Sequence, residues 1–420
     1  MLIEFRVENF KSIKEEVMLS LLATKDSSLE ENTIKTDIMT KAALLRTAVI
    51  YGANASGKSN LLQALVFLKA LVTKSHTHQK GTKIRFSPFK LDKEFLSKPT
   101  KFRVTFIKND MKYVYGISFN EDKVIDEYLY YYPSNRKRAI IFERKNTTQF
   151  VFTTDKSIQT FISQRTLENV LYLSKATQEK YEKTVDAFEW FKDTLQSIGP
   201  ADHPVLTNFT VKLLNEPNMK EVIVKALHEA DLGIKDISTS NRKLKMEELP
   251  AEFPDELKKL LVQEEHLEIK MLHKITNDKK NSLIDAYLDF SEESEGTQRF
   301  FSLIGPFIDA LSKGMVLVVD ELEAKLHSSL NVFLVKLFHN ISQNKKNAQL
   351  IFTTHNVELM EEDIFRRDQI WFTEKNPDTG STDLYSLVNF SPRKDKNIKK
   401  GYLAGRYGAL PFIKEGIIFK

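Results

Sequence analysis

The chain opens with alternating apolar and charged positions. Ile3, Phe5 and Val7 are separated by single charged residues, and this period of two predicts a half-buried β-strand. A short apolar run at 48–51 then leads into a loop that contains two glycines, and apolar residues recur at helical spacing over 60–72. A strand, a glycine loop and a helix in this order are typical of the start of a nucleotide-binding α/β unit.

The pattern changes between residues 101 and 153. Several segments rich in Val, Ile, Phe and Tyr follow one another there, and most are separated by turn-forming residues such as Asn and Asp. This pattern predicts an antiparallel β meander. Helical spacing follows from about Ser157 to Leu261, and the highly charged stretch Lys243–Glu265 is expected to form a solvated surface helix or a mobile loop.

An α/β pattern returns near residue 282. We expect strands at Leu283–Phe290, Met315–Val319 and Gln349–Thr354, and helices at Gln298–Leu311 and Ser328–Ile341. Two more strands are expected to close the set, at Gln369–Thr373 and Leu384–Asn389.

These patterns together predict an α/β fold whose nucleotide-binding part comes from two separate stretches of sequence. The N-terminal half spans 1–90 and carries the glycine loop, and the C-terminal half spans 282–420. Between them we expect an insertion at 91–281, which begins as the β meander and continues as helices.

Composition restricts the chemistry. The chain has 420 residues, of which 41% are hydrophobic, so a packed core is expected. There is no cysteine, which excludes disulfides, thiolate catalysis and Cys-ligated metal sites. The formal net charge of +5 permits an anionic partner such as nucleic acid without requiring one. Because no apolar run approaches the ~18–20 residues of a membrane helix and the start does not resemble a signal peptide, we expect a cytoplasmic protein that does not enter membranes.

The glycine loop matches the phosphate-binding pattern G-x4-G-K-[ST]. Its backbone N–H groups and the following helix N-terminus would wrap the phosphates of a nucleotide. Lys58 would reach the β- and γ-phosphates, and the Ser59 hydroxyl would bind Mg²⁺. The residues assigned to ATP here are Gly52, Ala53, Asn54, Ala55, Ser56, Gly57, Lys58, Ser59 and Asn60.

Two later strands carry polar residues that fit the same chemistry. The apolar run 316–319 leads into Asp320, which would hold the magnesium directly or through water, and Glu321, which would polarise the attacking water as the catalytic base. The expected strand at 349–354 leads into His355. Because ligands bind at the carboxyl ends of parallel strands, His355 would face the γ-phosphate and take part in hydrolysis.

Just before the helix expected at Gln298, the segment Ser294–Thr297 reads Ser-Glu-Gly-Thr. It resembles the signature loop of ABC-type ATPases, whose usual form is Ser-Gly-Gly-Gln, and it departs from that form at its second and fourth positions. Ser294 and Gly296 can still offer a hydroxyl and backbone N–H groups at a helix N-terminus. In ABC-type enzymes this loop contacts the ATP held by the other subunit. The resemblance therefore implies a homodimer that encloses two ATP molecules.

Further motifs narrow the resemblance. The opening segment 5–13, Phe-Arg-Val-Glu-Asn-Phe-Lys-Ser-Ile, resembles the start of RecF, SMC and overcoming-lysogenization-defect ATPases. The run Glu321–His327, the Thr-His-Asn triplet around His355 and the closing segment Gly401–Pro411 resemble a narrower group, the bacterial AAA-type ATPases with an ABC fold found in abortive-infection and other antiphage operons. Within this group, Lys11 would lie near the nucleotide and contact a phosphate.

The resemblance also implies a function. We expect a Mg²⁺-dependent ABC-type ATPase with ATP as its nucleotide, which dimerises on ATP, or forms a higher oligomer, and controls a separate effector in antiphage defence. The stretch after His355 is too short for the nuclease domain that some members carry, so a nuclease effector is expected on another polypeptide. The alternative is a RecF-like ATPase that acts directly on DNA or RNA in repair or recombination. A third reading is a nucleotide-bound scaffold with little turnover.

Overall fold

A computed structural model describes residues 1–39, 42–133, 137–243, 265–277, 282–361, 364–390 and 397–410. The chain forms two compact units. Unit 1 contains Met1–Pro200, Ala310–Ala324 and Leu334–Lys420, and unit 2 contains Ala201–Asp309 and Lys325–Phe333. The division into two halves and an insertion at 91–281 stays a prediction.

Unit 1 contains an antiparallel sheet that begins with the N-terminal strand. Beside this strand lie the second strand of the chain on one side and the β meander on the other, in the order β10-β9-β8-β7-β6-β1-β2. The meander predicted between residues 101 and 153 is confirmed, and it continues the N-terminal sheet. The strands are β1 (Leu2–Glu8), β2 (Val17–Ser20), β6 (Thr100–Lys108), β7 (Met111–Phe119), β8 (Val124–Tyr132), β9 (Ala139–Lys145) and β10 (Gln149–Val151). A separate short ladder joins β3 (Thr33–Ile34) and β4 (Leu44–Leu45).

The second large sheet of unit 1 is mostly parallel. Its strands are β5 (Thr47–Gly52), β11 (Leu195–Ile198), β15 (Val316–Val319), β16 (Gln349–Thr353), β17 (Ile370–Lys375) and β18 (Thr382–Ser386). They lie in the order β11-β15-β16-β5-β17-β18, and only β18 runs antiparallel to its neighbour. The loops after β5, β15 and β16 therefore leave the sheet at one edge. This arrangement confirms the α/β prediction.

One hydrophobic core connects the two sheets of unit 1. The helix α1 (Lys58–Lys74) buries Leu61, Leu65 and Leu68 in this core. The same cluster contains Phe5 of β1 and Ile50 of β5. The strand before the glycine loop and the helix after it are thus fixed by buried apolar contacts on both sides.

The remaining helices have the following bounds. They are α2 (Lys93–Ser97), α3 (Lys156–Gln164), α4 (Tyr172–Gln178), α5 (Val185–Glu189), α6 (His203–Leu214), α7 (Met219–Glu229), α8 (Glu295–Lys313), α9 (Ser328–His339) and α10 (Ile398–Leu403). Among the described residues, no helix is both long enough and apolar enough to span a membrane.

The helical prediction for 157–261 is wrong in two places. Leu195–Ile198 forms β11, a strand too short for its period to stand out, which pairs with β15. Ile234–Lys243 forms β12. A bulge between Ile234 and Asp236 places both Ile234 and Ile237 in the core, and this spacing of three imitates a helix. Most of the charged stretch 243–265 lies outside the described residues.

Unit 2 contains a three-stranded antiparallel sheet and helical segments. Its strands are β12, β13 (Glu265–Asn277) and β14 (Ser282–Asp289), in that order across the sheet. The helix α7 packs beside β12 within the same unit. The strand predicted at 283–290 is confirmed as β14.

Candidate functional site

The glycine loop follows β5, and α1 begins at Lys58, so the predicted strand–loop–helix context is present. Ala55 and Gly57 adopt left-handed backbone conformations, with φ angles of 62° and 107°. Alternation of right- and left-handed residues turns successive N–H groups toward one concavity, and the helix N-terminus adds its partial positive charge. Asn54 and Ala55 are exposed at the open side of this loop. The geometry suits the binding of a phosphate chain.

Hydroxyl groups from two neighbouring strands hold the loop in place. The Thr382 hydroxyl donates to the Ser56 carbonyl at 2.8 Å, and it lies 2.7 Å from Ser12 Oγ. Thr373 Oγ1 lies 2.7 Å from Ser56 Oγ. The Asn60 amide donates to Ser12 Oγ at 2.7 Å. Sequence analysis missed Thr373 and Thr382, because nothing in the local sequence marks a threonine that contacts a distant loop.

The Lys58 side chain turns back onto its own loop. Its Nζ donates to the carbonyl oxygens of Gly52, at 2.8 Å, and Ala53, at 3.2 Å. Burial lowers the pKa of Lys58, whereas the negative charges of Glu323, Asp320 and Glu321 act in the opposite direction. A bound phosphate chain would offer this ammonium stronger acceptors than two carbonyl groups.

Ser59 and Asp320, the two residues assigned to magnesium, lie together. Ser59 Oγ donates to Asp320 Oδ1 at 3.1 Å, and Thr353 Oγ1 donates to the same oxygen at 2.6 Å. A hydroxyl and a carboxylate are the hard oxygen ligands that Mg²⁺ prefers, and phosphate oxygens and water usually complete its shell. No cluster of three or more His, Cys, Asp or Glu side chains within the described ranges could hold a metal by itself. The pair therefore fits an ion bound together with a nucleotide.

Glu321 follows β15 directly and has a left-handed backbone, with a φ of 54°. Its N–H donates to Thr353 Oγ1 at 2.8 Å, so Thr353 contacts both acidic residues. A non-glycine residue at positive φ is strained, and such strain persists where the surroundings determine the conformation. The contact with Thr353 therefore helps to hold the Glu321 backbone in this conformation.

His355 follows β16 at the same edge of the sheet, and its side chain is exposed. Its backbone N–H donates to Glu323 Oε1 at 2.6 Å. Partial desolvation of the ring and the nearby Lys58 charge lower the pKa of His355, against the opposing charges of Glu323, Glu321 and Asp320, so the neutral imidazole is favoured at neutral pH. The structure brings Lys58, Asp320, Glu321 and His355 to one edge, and it adds Glu323, which sequence analysis named only as part of the run after the acidic strand.

Lys11 lies beside α1. Its Nζ donates to Gln63 Oε1, and its N–H donates to the Ser87 carbonyl at 2.7 Å. Burial and then the charge of Arg85 lower the pKa of Lys11. Lys11 and Ser12 line a cavity of about 400 Å³ together with residues 87–91, Lys375 and Gly380. A phosphate contact by Lys11 stays a prediction, because its ammonium already has an acceptor on α1.

The segment that resembles an ABC signature belongs to unit 2. The helix α8 begins at Glu295, three residues earlier than expected, so Gly296 lies in its first turn. Ser294 Oγ accepts from the Thr297 N–H at 3.1 Å, as an N-cap does. The exposed Ser294 hydroxyl and the N–H groups at the start of this helix are suited to an anion.

The closing motif packs against the strand that precedes the glycine loop. Tyr402 contacts the Tyr51 ring at 5.9 Å and stacks on Phe372 at 5.5 Å. Tyr402 and His355 line a cavity of about 980 Å³ whose other wall includes Gly52, Ala53, Asn54 and Ser56. The motif thus forms part of the nucleotide-side surface of unit 1 up to residue 410, and its final Pro411 lies outside the described residues.

Known proteins place the chain in a family. A family model described as "AAA domain, putative AbiEii toxin, Type IV TA system" matches residues 48–361. The chain belongs to this AAA family. The match includes the glycine loop, the acidic strand and His355, so all three lie inside the family's domain. No curated protein matches the chain.

Solved structures give distant similarities. The match to an SMC head bound to the C-winged helix domain of ScpA is 15% identical, covers 96% of this chain and 99% of the SMC head chain, and has a TM-score of 0.38. The match to the recombination mediator RecF with ATPrS is 15% identical, covers 91% of this chain and 98% of the RecF chain, and has a TM-score of 0.34. The match to the RecF structure with ATP is 14% identical, covers 91% of this chain and 97% of the RecF chain, and has a TM-score of 0.31.

Proposed function

We propose that this AAA-family protein is a Mg²⁺-dependent ABC-type ATPase that dimerises around ATP. The observation that carries the proposal is the hydrogen bond from Ser59 to Asp320. It brings the end of the glycine loop and the acidic strand to one point, where a magnesium ion bound to a nucleotide needs oxygen ligands from both.

Each side chain has a role that follows from its position. Lys58 would exchange its loop carbonyls for the β- and γ-phosphates, and Ser59 and Asp320 would hold the ion. Glu321 accepts a proton from the attacking water, and His355 contacts the γ-phosphate from the neighbouring strand end. The ion supplies charge neutralisation when it is bound, and the protein supplies orientation and a general base.

The dimer is proposed from the capped turn in unit 2. Ser294 and Gly296 are suited to an anion, and in ABC-type enzymes the corresponding loop meets the ATP of the partner subunit. A two-fold axis would place each loop on the other chain's nucleotide, so that neither site is complete alone. ATP then acts as the link between two chains.

The dimer is further proposed to control a separate effector, a nuclease, in antiphage defence. The family description names a putative toxin and a toxin–antitoxin system, that is, a system of more than one component. The reaction proposed for this site is ATP hydrolysis, so the reaction of the effector is assigned to a separate protein. An ATP-dependent dimer is suited to change the exposure or spacing of a bound partner.

Mixing two inactive variants tests the shared site. Lys58→Ala should lose ATP binding, and Ser294→Arg should bind ATP but fail to close the dimer. A mixed dimer has one site with intact Lys58 on one chain and intact Ser294 on the other, so part of the hydrolysis should return. Mixed dimers that form but never hydrolyse ATP would contradict the shared site. Crosslinking of Ser294 to the partner's nucleotide in such a dimer would instead show that the site is shared and that both sites must act together.

The effector role needs a cellular test. Phage plaque counts on cells that carry the gene with its neighbours should rise when Lys58→Ala replaces the wild type. Binding to DNA or RNA is measured in parallel at several salt concentrations, because phosphate contacts give a steep salt dependence. Tight, salt-dependent binding that stimulates hydrolysis, without any effect on plaques, would favour the RecF-like alternative.

A further inference from the structure

Glu323 occupies a central place in the site without an assigned role. One carboxylate oxygen, Oε1, accepts the His355 N–H at 2.6 Å. The negative charge of Glu323 opposes the lowering of the pKa of Lys58 and of His355, more strongly than the charge of Asp320 or Glu321 does. The hydrogen bond to His355 joins the loop after β15 to the end of β16.

The other oxygen of the same carboxylate is unusual. Glu323 Oε2 is buried and has no hydrogen-bond partner among the described residues. A buried acceptor without a donor is destabilising, and a carboxylate of purely structural purpose would normally have both oxygens satisfied. The unsatisfied oxygen therefore points to a role for this side chain beyond stability.

Hydrogen bonds also hold the backbone N–H groups of the residues on either side of His355. The Thr354 N–H donates to the Ile50 carbonyl at 3.1 Å, and the Asn356 N–H donates to Thr354 Oγ1 at 3.0 Å. Between these two contacts, the Glu323 carboxylate accepts the backbone N–H of His355, for which the described part of the chain offers no second acceptor. Hydrogen bonds to an ionised acceptor are shorter and stronger than neutral ones.

We propose that Glu323 is a positioning residue, which holds the His355 main chain so that the imidazole stays beside the γ-phosphate. The proposal rests on the proposed ATPase function. Glu321 and Glu323 then have separate tasks. Glu321 acts on the water, and Glu323 acts through His355.

Two substitutions separate the hydrogen bond from the charge. Glu323→Gln keeps a carbonyl oxygen that can accept the His355 N–H, whereas Glu323→Ala removes the acceptor. Glu323→Ala should lower kcat by about 10- to 100-fold, the usual effect of losing a hydrogen bond to a charged group, with ATP affinity within about threefold of wild type. Glu323→Gln should restore most of kcat. Glu361→Ala, which removes an exposed acid six positions after His355, is the control and should behave as wild type.

A double-mutant cycle tests whether Glu323 acts through His355. His355→Ala should lower kcat, and adding Glu323→Ala to it should cause no further loss. Thermal melting of each variant checks that it is folded. Independent, multiplying losses would overturn the proposal, as would a Glu323→Ala variant with wild-type kcat or a His355→Ala variant that hydrolyses normally. Absence of any ATP hydrolysis by the wild type would instead refute the proposed function itself.

Discussion

The glycine loop leaves no room for a methyl group at Gly57. This residue has a φ of 107°, and a Cβ added there would lie 2.1 Å from Thr382 Oγ1 and 2.7 Å from Thr382 Cγ2. Gly57→Ala therefore introduces backbone strain and also displaces the side chain that supports the loop. Neither effect can be relieved by rotation of the added group.

The magnitude follows from these two effects. A non-glycine residue forced to this backbone conformation costs about 1–3 kcal/mol. Displacement of Thr382 weakens, without fully breaking, its bonds to Ser56 and Ser12, at a combined cost of about 1 kcal/mol. A total of about 2–4 kcal/mol corresponds to a loss of about 30- to 1,000-fold in ATP affinity if the strained loop must recover its shape to bind.

Titration with ATP by calorimetry measures this loss, and thermal melting checks the fold. Gly81→Ala is the matched control. Gly81 also has a positive φ, of 84°, but an added Cβ there meets no atom within 4 Å. This control should keep wild-type ATP affinity. A folded Gly57→Ala protein that binds ATP within about threefold of the wild type would refute the reasoning about the loop.

Three further results are expected. Glu321→Gln should keep ATP bound while slowing hydrolysis by ~10²-fold, as measured by phosphate release. Light scattering should show that this variant accumulates as an ATP-bound dimer. Hydrolysis at the wild-type rate would mean that another residue is the base. Thr382→Val should weaken ATP binding by about 5- to 30-fold in a titration, because it removes two hydrogen bonds and keeps the shape of the side chain. Unchanged ATP affinity would show that Thr382 does not support the loop. Burial lowers the pKa of His339 in the folded protein to about 3. Between pH 6.5 and pH 3, this histidine is therefore protonated in the unfolded chain but not in the folded protein. The free energy of unfolding falls as the pH is lowered, by about 2 kcal/mol at pH 5. In urea titrations at pH 7.5 and pH 5, His339→Gln should lose less stability than the wild type, and equal losses would contradict the buried neutral imidazole.

The strands and the helix around the glycine loop are predictable because their sequence patterns are local. The apolar run that became β5 is bounded by the glycine loop, and the alternation at the N-terminus needs only seven residues. The glycine loop itself has a spacing that only phosphate binding commonly requires. These elements were therefore placed within a few residues of their observed bounds.

The errors have physical causes. The strand β11 has four residues and lies within a helical stretch, so its pairing with β15 is decided by tertiary contacts. The bulge in β12 breaks the alternation that would have revealed a strand. The start of α8 was placed too late because the Ser294 cap, and not the first apolar residue, decides where that helix begins.

Contacts between distant segments could not be predicted from one sequence. Thr382 supports the glycine loop across more than three hundred residues of chain. Glu323 was visible as a residue two positions after Glu321, but its bond to the His355 backbone depends on the pairing of β15 with β16. A sequence pattern marks residue types and spacing, whereas these roles depend on which strands are neighbours.

The central claim is that the edge of the sheet formed by Lys58, Ser59, Asp320 and Glu321 hydrolyses ATP with Mg²⁺. Release of phosphate from ATP by the purified protein tests it most directly, with Mg²⁺ or with EDTA, and with Lys58→Ala alongside. The account predicts hydrolysis that requires Mg²⁺ and is lost in the variant. Hydrolysis that continues at the wild-type rate in Lys58→Ala, or a wild type that neither binds nor hydrolyses ATP in the presence of Mg²⁺, would contradict it.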